Sequence, residues 1–262
     1  MRICWIHPTT RNDALEPLWA KLDEVVRPVL NKETELEFRF LPRSGNFVRS
    51  LYAEHINSVH IVEAAMQAEQ DGFDGVFLGC WNDPLWEARE VLDVPVASVS
   101  EQSMLAALSL GRRFAVVTVS QKTSVSIEND LLAYGLSDRA ITRPVRSIAP
   151  ESDGDLLAGA VNDPYKEFIP RVEQVAQECI RDGADVILIG CAYYGPLLRA
   201  AGYTEIPGTG VPVVDSSTVA LKYLETMTDI ALQTGLVKSR RLQLKPPARD
   251  ALDRARQSLA LA

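Results

Sequence analysis

The chain has 262 residues, of which 47% are hydrophobic and 24% charged, and its formal net charge is −8. This is the composition of a globular protein, and the length suits one large domain or two smaller ones. The negative charge argues against binding to a nucleic-acid backbone. No apolar run approaches the roughly 18 residues of a membrane helix. Residues 1–7 lack the form of a signal peptide, so we expect a cytoplasmic location without membrane attachment.

Cysteine and histidine usage argues against a metal site. The cysteines are Cys4, Cys80, Cys179 and Cys191, none of them in CxxC spacing, and there are only three histidines. In a reducing compartment the four thiols are expected to be free. The sequence also lacks a Gly-rich dinucleotide fingerprint and a lysine in a recognisable pyridoxal site. We therefore expect neither a metal ion nor an organic cofactor.

Short β-branched or aromatic runs alternate with helical patterns along the whole chain. In chain order the first half predicts a strand at 2–6, a helix at 14–29, a strand at 35–40, a helix at 53–70, a strand at 75–78, a short helix from Pro84 and a strand at 94–97. Later strands are predicted near 114–117, 143–148, 186–189 and 212–214. This alternation predicts parallel sheets with helices on their faces.

The second half of the chain repeats the first. Residues 71–80 (DGFDGVFLGC) align with 182–191 (DGADVILIGC) at an offset of 111, and the same offset carries strand 2–6 onto 113–117. The motif D-G-x-D before a buried strand also occurs in unrelated α/β proteins, but two blocks sharing one offset favour a duplication. We predict an α/β fold of two pseudo-symmetric parallel-sheet domains with the active site in the cleft between them. The first would comprise 1–98 and 215–262, with a C-terminal extension from about 242, and the second 99–214.

Cys80 and Cys191 occupy the same place in the two repeats, after a buried strand and before a helix. Ligands of open α/β sheets bind at the carboxyl ends of strands. A helix N-terminus there would lower the pKa of the thiol. We expect Asn82-Asp83-Pro84 to cap the following helix and the glycine before each cysteine to let the backbone approach a ligand. The alternative is that cysteine is merely a tolerated small residue, as we expect for buried Cys4 and Cys179.

Two opposed thiols without a cofactor suit racemisation at a carbon next to a carbonyl group. One thiolate removes a proton from one face of the carbon while the other thiol returns a proton to the opposite face. The planar carbanion between these steps needs hydrogen-bond donors around its carbonyl oxygens.

Three segments resemble the aspartate/glutamate racemase superfamily, and most of all its hydantoin racemase branch: GCWNDP at 79–84, GCA at 190–192 and GRRFAVVT at 111–118. The resemblance covers nearly all of residues 1–238. It implies that Cys80 and Cys191 are the acid/base thiols. It also implies a substrate-binding set made up of His7, Trp81, Asn82, Thr118, Ser120, Thr123, Ala192 and Tyr193. His7 stands where asparagine is common in the family. For three of these residues a structural role is the alternative: His7 would be a buried unpaired histidine, Thr118 would end a strand and Ser120 would cap a helix.

The aromatic residues after the thiols, Trp81, Tyr193 and Tyr194, predict an apolar pocket wall and favour a 5-substituted hydantoin over an acidic amino acid. An aspartate/glutamate racemase and a maleate-type cis–trans isomerase remain alternatives. A non-catalytic binding protein would be expected to have lost a cysteine. The expected partners are a small-molecule substrate and further copies of the chain in a homo-oligomer.

Two further segments leave alternatives open. Loop 41–50, with Arg43, Asn46 and Arg49, is interpreted as a solvated connection, with a substrate-covering lid as the alternative. The spacing of Leu252, Ala255 and Leu259 predicts an amphipathic helix in 246–262, which would pack on its own chain or on a neighbour.

Overall fold

Two parallel sheets lie at the centre of the protein, in a computed structural model that describes residues 1–45 and 49–258. The strands are β1 (Arg2–Ile6), β2 (Glu35–Arg39), β3 (Gly75–Leu78), β4 (Val96–Ser98), β5 (Phe114–Thr118), β6 (Ala140–Ser147), β7 (Val186–Gly190), β8 (Glu205–Ile206) and β9 (Val211–Val214). The first sheet has the order β2-β1-β3-β4 and the second β6-β5-β7-β9-β8, where only β8 pairs antiparallel. Apart from that edge strand, both halves therefore share one topology.

Helices cover the faces of both sheets, as the alternating pattern predicts. They are α1 (Glu16–Val26), α2 (Leu51–Gln70), α3 (Leu85–Val91), α4 (Val99–Ala107), α5 (Gln121–Ala133), α6 (Gly154–Asn162), α7 (Phe168–Arg181), α8 (Tyr194–Ala200), α9 (Ser216–Thr234) and α10 (Arg249–Ser258). None of the helices in the described residues is both long and apolar enough to cross a membrane.

The register of strand pairing repeats along with the sequence. Ile3 of β1 lies opposite Gly75 of β3, and Phe114 of β5 lies opposite Val186 of β7. Each residue of the second pair is 111 positions after its counterpart in the first. The predicted α/β fold of two pseudo-symmetric parallel sheets is therefore confirmed.

The second aspartate of each D-G-x-D block ties two strands together. The Asp74 carboxylate accepts the Arg2 N–H at 2.7 Å, and the Asp185 carboxylate accepts the Arg113 N–H at 2.8 Å. In return, the N–H of each aspartate donates to the carbonyl of the same arginine. These reciprocal bonds explain why both blocks contain the second aspartate, and because they use only the arginine backbone they do not depend on the arginine side chains.

Some helices pack against the sheet of the other half. Leu18, Trp19 and Leu22 of α1 belong to the same buried cluster as Val117 of β5 and Ile189 of β7. In the opposite direction, α9 packs against β3 and β4 of the first sheet. The domain limits derived from the sequence remain a prediction.

The C-terminal helix folds back onto its own chain. The Arg256 side chain of α10 donates to both carboxylate oxygens of Glu63 on α2, at 2.9 and 3.0 Å. Of the two arrangements that the sequence leaves open, the helix therefore packs on its own chain. Leu259, the last apolar position of the predicted pattern, lies outside the described residues.

Candidate active site

One cavity of about 430 Å³ brings the two repeated cysteines together. Cys191 directly follows β7, and Cys80 follows β3 after a single glycine. Both thiols are partly exposed, whereas Cys4 and Cys179 are fully buried in the hydrophobic core as expected. Parallel strands end at the same edge of a sheet, so duplication of a strand–cysteine unit places one thiol from each half at the cleft.

The residues that flank the thiols also reach the cavity. Of the predicted substrate-binding set, the lining includes Trp81, Asn82, Thr123, Ala192 and Tyr193. It does not include His7, Thr118 or Ser120.

Thr118 and Ser120 hold the loop that presents Thr123. The Thr118 hydroxyl donates to the Gly190 carbonyl at 2.7 Å, and its oxygen lies 3.1 Å from the Thr123 hydroxyl. Ser120 is the N-cap of α5: its hydroxyl accepts the Thr123 N–H, while the Thr123 hydroxyl accepts the Ser120 N–H. Their hydroxyls therefore serve the strand end and the helix cap, as in the alternatives that the sequence left open, and a substrate contact at either position stays a prediction.

His7 lies behind the cavity wall and not in it. Its ring stacks on Phe40 at a centroid distance of 4.6 Å and lies 4.7 Å from the ring of Trp19, which does line the cavity. Neither ring nitrogen has a hydrogen-bond partner, and burial lowers the His7 pKa to about 3. In this structure His7 is a neutral packing residue beside Trp19 and Phe40, and its substrate contact stays a prediction.

The glycines before the thiols are required by neighbouring strands. A Cβ atom on Gly79 would lie 2.6 Å from the Ile6 carbonyl oxygen. One on Gly190 would lie 2.8 Å from the Cβ of Thr118 and from Val116 Cγ1. The glycines therefore make room for the adjacent strand, and because Gly190 also lines the cavity, the expected approach of a ligand stays a prediction.

Asp83 does not cap the helix that follows. Helix α3 begins at Leu85, and its N-cap, Pro84, makes no side-chain cap bond. Instead, Asp83 Oδ2 accepts the N–H of Cys80 at 2.8 Å. The carboxyl group predicted to serve α3 is turned back towards the thiol residue.

Arg49 is a cavity residue that sequence reasoning undervalued. It lines the cavity, and its guanidinium donates to the Ser152 carbonyl in the other half of the molecule. Loop 41–50 is therefore more than a solvated connection at this position. Arg43 lines a different surface groove, and Asn46 lies outside the described residues. The position of Arg49 beyond the carboxyl end of β2 is the signal that could have identified it.

The sequence matches a known family over most of its length. Residues 16–224 match the sequence model of a family described as Asp/Glu/Hydantoin racemase. The chain belongs to this family. Hydantoin racemase from Pseudomonas sp. (strain NS671) is 31% identical over 205 residues, which cover 73% of each chain. Hydantoin racemase from Rhizobium meliloti is 30% identical over 174 residues, covering 66% of this chain and 68% of the other.

The fold of this racemase-family protein also matches solved structures. Allantoin racemase from Klebsiella pneumoniae superposes with a TM-score of 0.77 at 24% identity, covering 99% of this chain and 98% of that one. At this identity the likeness demonstrates a shared fold. The family membership identifies the protein as an isomerase of the racemase type.

The two thiols of the racemase lie in different electrostatic surroundings. Burial raises the pKa of both, so the predicted lowering by a helix N-terminus is outweighed. Around Cys191 the N–H groups of Tyr194 and Tyr193 donate to the sulfur, and the Arg49 charge also favours the thiolate. Around Cys80 the Asp83 carboxylate acts in the opposite direction, and the pKa of this thiol is well above its ordinary value.

Proposed function

We propose that Cys80 and Cys191 are the acid/base pair of a cofactor-independent racemase acting at a carbon next to a carbonyl group. The observation that supports this most directly is that both thiols, one from each half, line one cavity of about 430 Å³. That volume is within the range of small-molecule sites. A compact substrate between the thiols would have one of them on each face of its stereocentre.

The chemistry follows from this opposition. A thiolate on one side removes the proton from carbon, and its S–H bond forms as the C–H bond breaks. The thiol on the other side then protonates the planar carbanion, and the remaining charge is on that sulfur. A thiolate whose pKa is raised by desolvation is a stronger base than a fully solvated one, which favours abstraction of a weakly acidic proton.

We propose a 5-substituted hydantoin, or a related amino-acid derivative, as the substrate. Trp19, Trp81 and Tyr193 give the cavity an aromatic wall, and the Arg49 guanidinium provides donors for carbonyl oxygens. A neutral ring would fit these surroundings without the desolvation that a second charged group requires. The two hydantoin racemases similar to this chain add to the case.

The test is solvent isotope exchange. The protein is incubated in D2O with single enantiomers of a 5-substituted hydantoin, aspartate and glutamate, and with maleate, and each product is examined for deuterium and configuration. We expect deuterium at the hydantoin stereocentre together with loss of optical rotation. Faster racemisation of aspartate or glutamate, or isomerisation of maleate alone, would contradict the proposed substrate.

Cysteine variants test the mechanism. Cys80→Ser and Cys191→Ser should each lower racemisation by at least about a hundredfold, because a serine hydroxyl is a far weaker acid than a thiol. Cys179→Ala is the matched control, since it removes a thiol that lies in the core away from the cavity. Full turnover by either active-site variant would overturn the two-thiol mechanism.

A further inference from the structure

The two repeats diverge immediately after their cysteines. At the offset of 111 residues, Asp83 corresponds to Tyr194. Asp83 directs a carboxylate oxygen to the Cys80 N–H at 2.8 Å, whereas the N–H of Tyr194 donates to the sulfur of Cys191. Equivalent positions therefore place negative charge near one thiol and hydrogen-bond donors at the other.

The charged groups around Asp83 strengthen this contrast. Asp83 and Cys80 share a small second cavity with Glu54 of α2. Asp130 of α5 also faces Asp83, and the nearby cation in this group is Lys122, opposite Glu54. Asp83 and Glu54 thus both oppose a thiolate on Cys80, while Cys191 lies near the guanidinium of Arg49.

We propose that Asp83 is a positioning residue that keeps Cys80 in the thiol form in the free enzyme, so that Cys191 is the base that begins the reaction. The assignment of a base rests on the proposed racemase function. Which thiol holds a proton in the free enzyme does not rest on that function, because it is a property of the protein without substrate.

The physical basis is repulsion between like charges in a buried site. A thiolate on Cys80 would add a second negative charge beside the Asp83 carboxylate, and that arrangement is costly where little water screens the two charges. A thiolate on Cys191 instead accepts two backbone N–H bonds, where Cys80 has one from Trp81, and it lies near a cation. Burial raises the pKa of Asp83 to about 7, so its negative charge, and with it the effect on Cys80, is complete only above that pH.

The experiment measures the reactivity of each thiol without turnover. Iodoacetamide alkylation is followed from pH 6 to 10 by mass spectrometry, for Cys80 in a Cys191→Ala background and for Cys191 in a Cys80→Ala background. Cys191 should react faster. Asp83→Asn should then speed alkylation of Cys80 by roughly tenfold, because the like charge is removed while the amide oxygen still accepts the Cys80 N–H. The gain should grow as the pH rises through about 7.

Asp130→Asn is the matched control: the Asp130 charge raises the pKa of Asp83 but does not act on Cys80, so removing it leaves the Asp83 carboxylate in place and should not speed alkylation of Cys80. If a thermal melt shows that Asp83→Asn is unfolded, Asp83→Ser replaces it. Faster alkylation of Cys80 than of Cys191, or no effect at Asp83, would overturn the proposal. If Cys191 reacts faster and Asp83→Asn speeds alkylation of Cys80, but the protein racemises none of the substrates tested, only the proposed function is overturned.

Discussion

Gly79→Ala is expected to destabilise the protein strongly although it adds one methyl group. The new Cβ would lie 2.6 Å from the Ile6 carbonyl oxygen, well under the 3.0 Å that real Cβ contacts respect. That carbonyl accepts the Gly79 N–H at 2.9 Å, so neither strand can move away without losing a ladder bond. Overpacking of this kind costs about 1–3 kcal/mol. Because the obstacles are the strand backbone and the buried Trp5 indole, we expect about 3 kcal/mol and a melting temperature lower by roughly 6–12 °C.

Urea unfolding of wild type and variant measures this directly, since a shifted midpoint at an unchanged slope is a change in stability. Gly159→Ala in α6 is the matched control: no atom lies within 4 Å of its Cβ, and alanine should stabilise that helix by about 0.5–1 kcal/mol. If Gly79→Ala unfolds at the wild-type midpoint and only weakens substrate binding, the glycine serves the ligand and the strand-packing explanation is refuted.

The remaining predictions concern buried and paired side chains. The unfolded chain binds a proton at His7 below pH 6.5 and the native protein only near 3, so stability falls as the pH drops through this window. His7→Phe should therefore spare about 2 kcal/mol of the loss between pH 7 and pH 5, and urea midpoints with an unchanged pH dependence would contradict this. Asp185 accepts N–H bonds from both Arg112 and Arg113, whereas Asp74 accepts that of Arg2. Asp185→Ala should cost about 2 kcal/mol and Asp74→Ala about 1, and equal costs would be evidence against this account.

The fold and the position of the two thiols in one cavity could be predicted, because both depend on local sequence patterns. Strand 75–78 was predicted with its observed bounds, and β7 extends the predicted 186–189 by one residue. A duplicated block preserves register, and register determines which edge a strand-end residue occupies. Cys80 and Cys191 therefore follow from the repeat alone.

The surroundings of His7 and Arg49 could not be predicted from the sequence because they come from distant segments. His7 follows β1 directly, but Trp19 of α1 and Phe40 enclose its ring. Arg49 reaches the cavity because Ser152, about a hundred residues later, offers its carbonyl. In both cases the decisive contact joins segments whose relative position is set by packing between the halves.

Asp83 shows a different limit. Aspartate before proline is a common helix-start pattern, and a local prediction of a cap was reasonable. The competing partner, the Cys80 N–H, is equally local but becomes available only because the chain turns sharply after β3. Helix-capping preference therefore gave the wrong partner for a carboxyl group that lies beside the proposed reaction.

Duplication by itself produces two equivalent thiols, whereas the proposed reaction needs one thiol and one thiolate. After a turnover begun by Cys191, the protonation states of Cys80 and Cys191 are exchanged, and a product molecule of the opposite configuration meets the base it requires. To accept the first enantiomer again, the enzyme must return a proton to Cys80 and lose one from Cys191. Asp83 makes the exchanged state the less stable one, because it places two negative charges together. The divergence of the repeats at this position therefore biases which enantiomer the free enzyme accepts, and it leaves the equilibrium between the enantiomers unchanged, since a catalyst alters only rates.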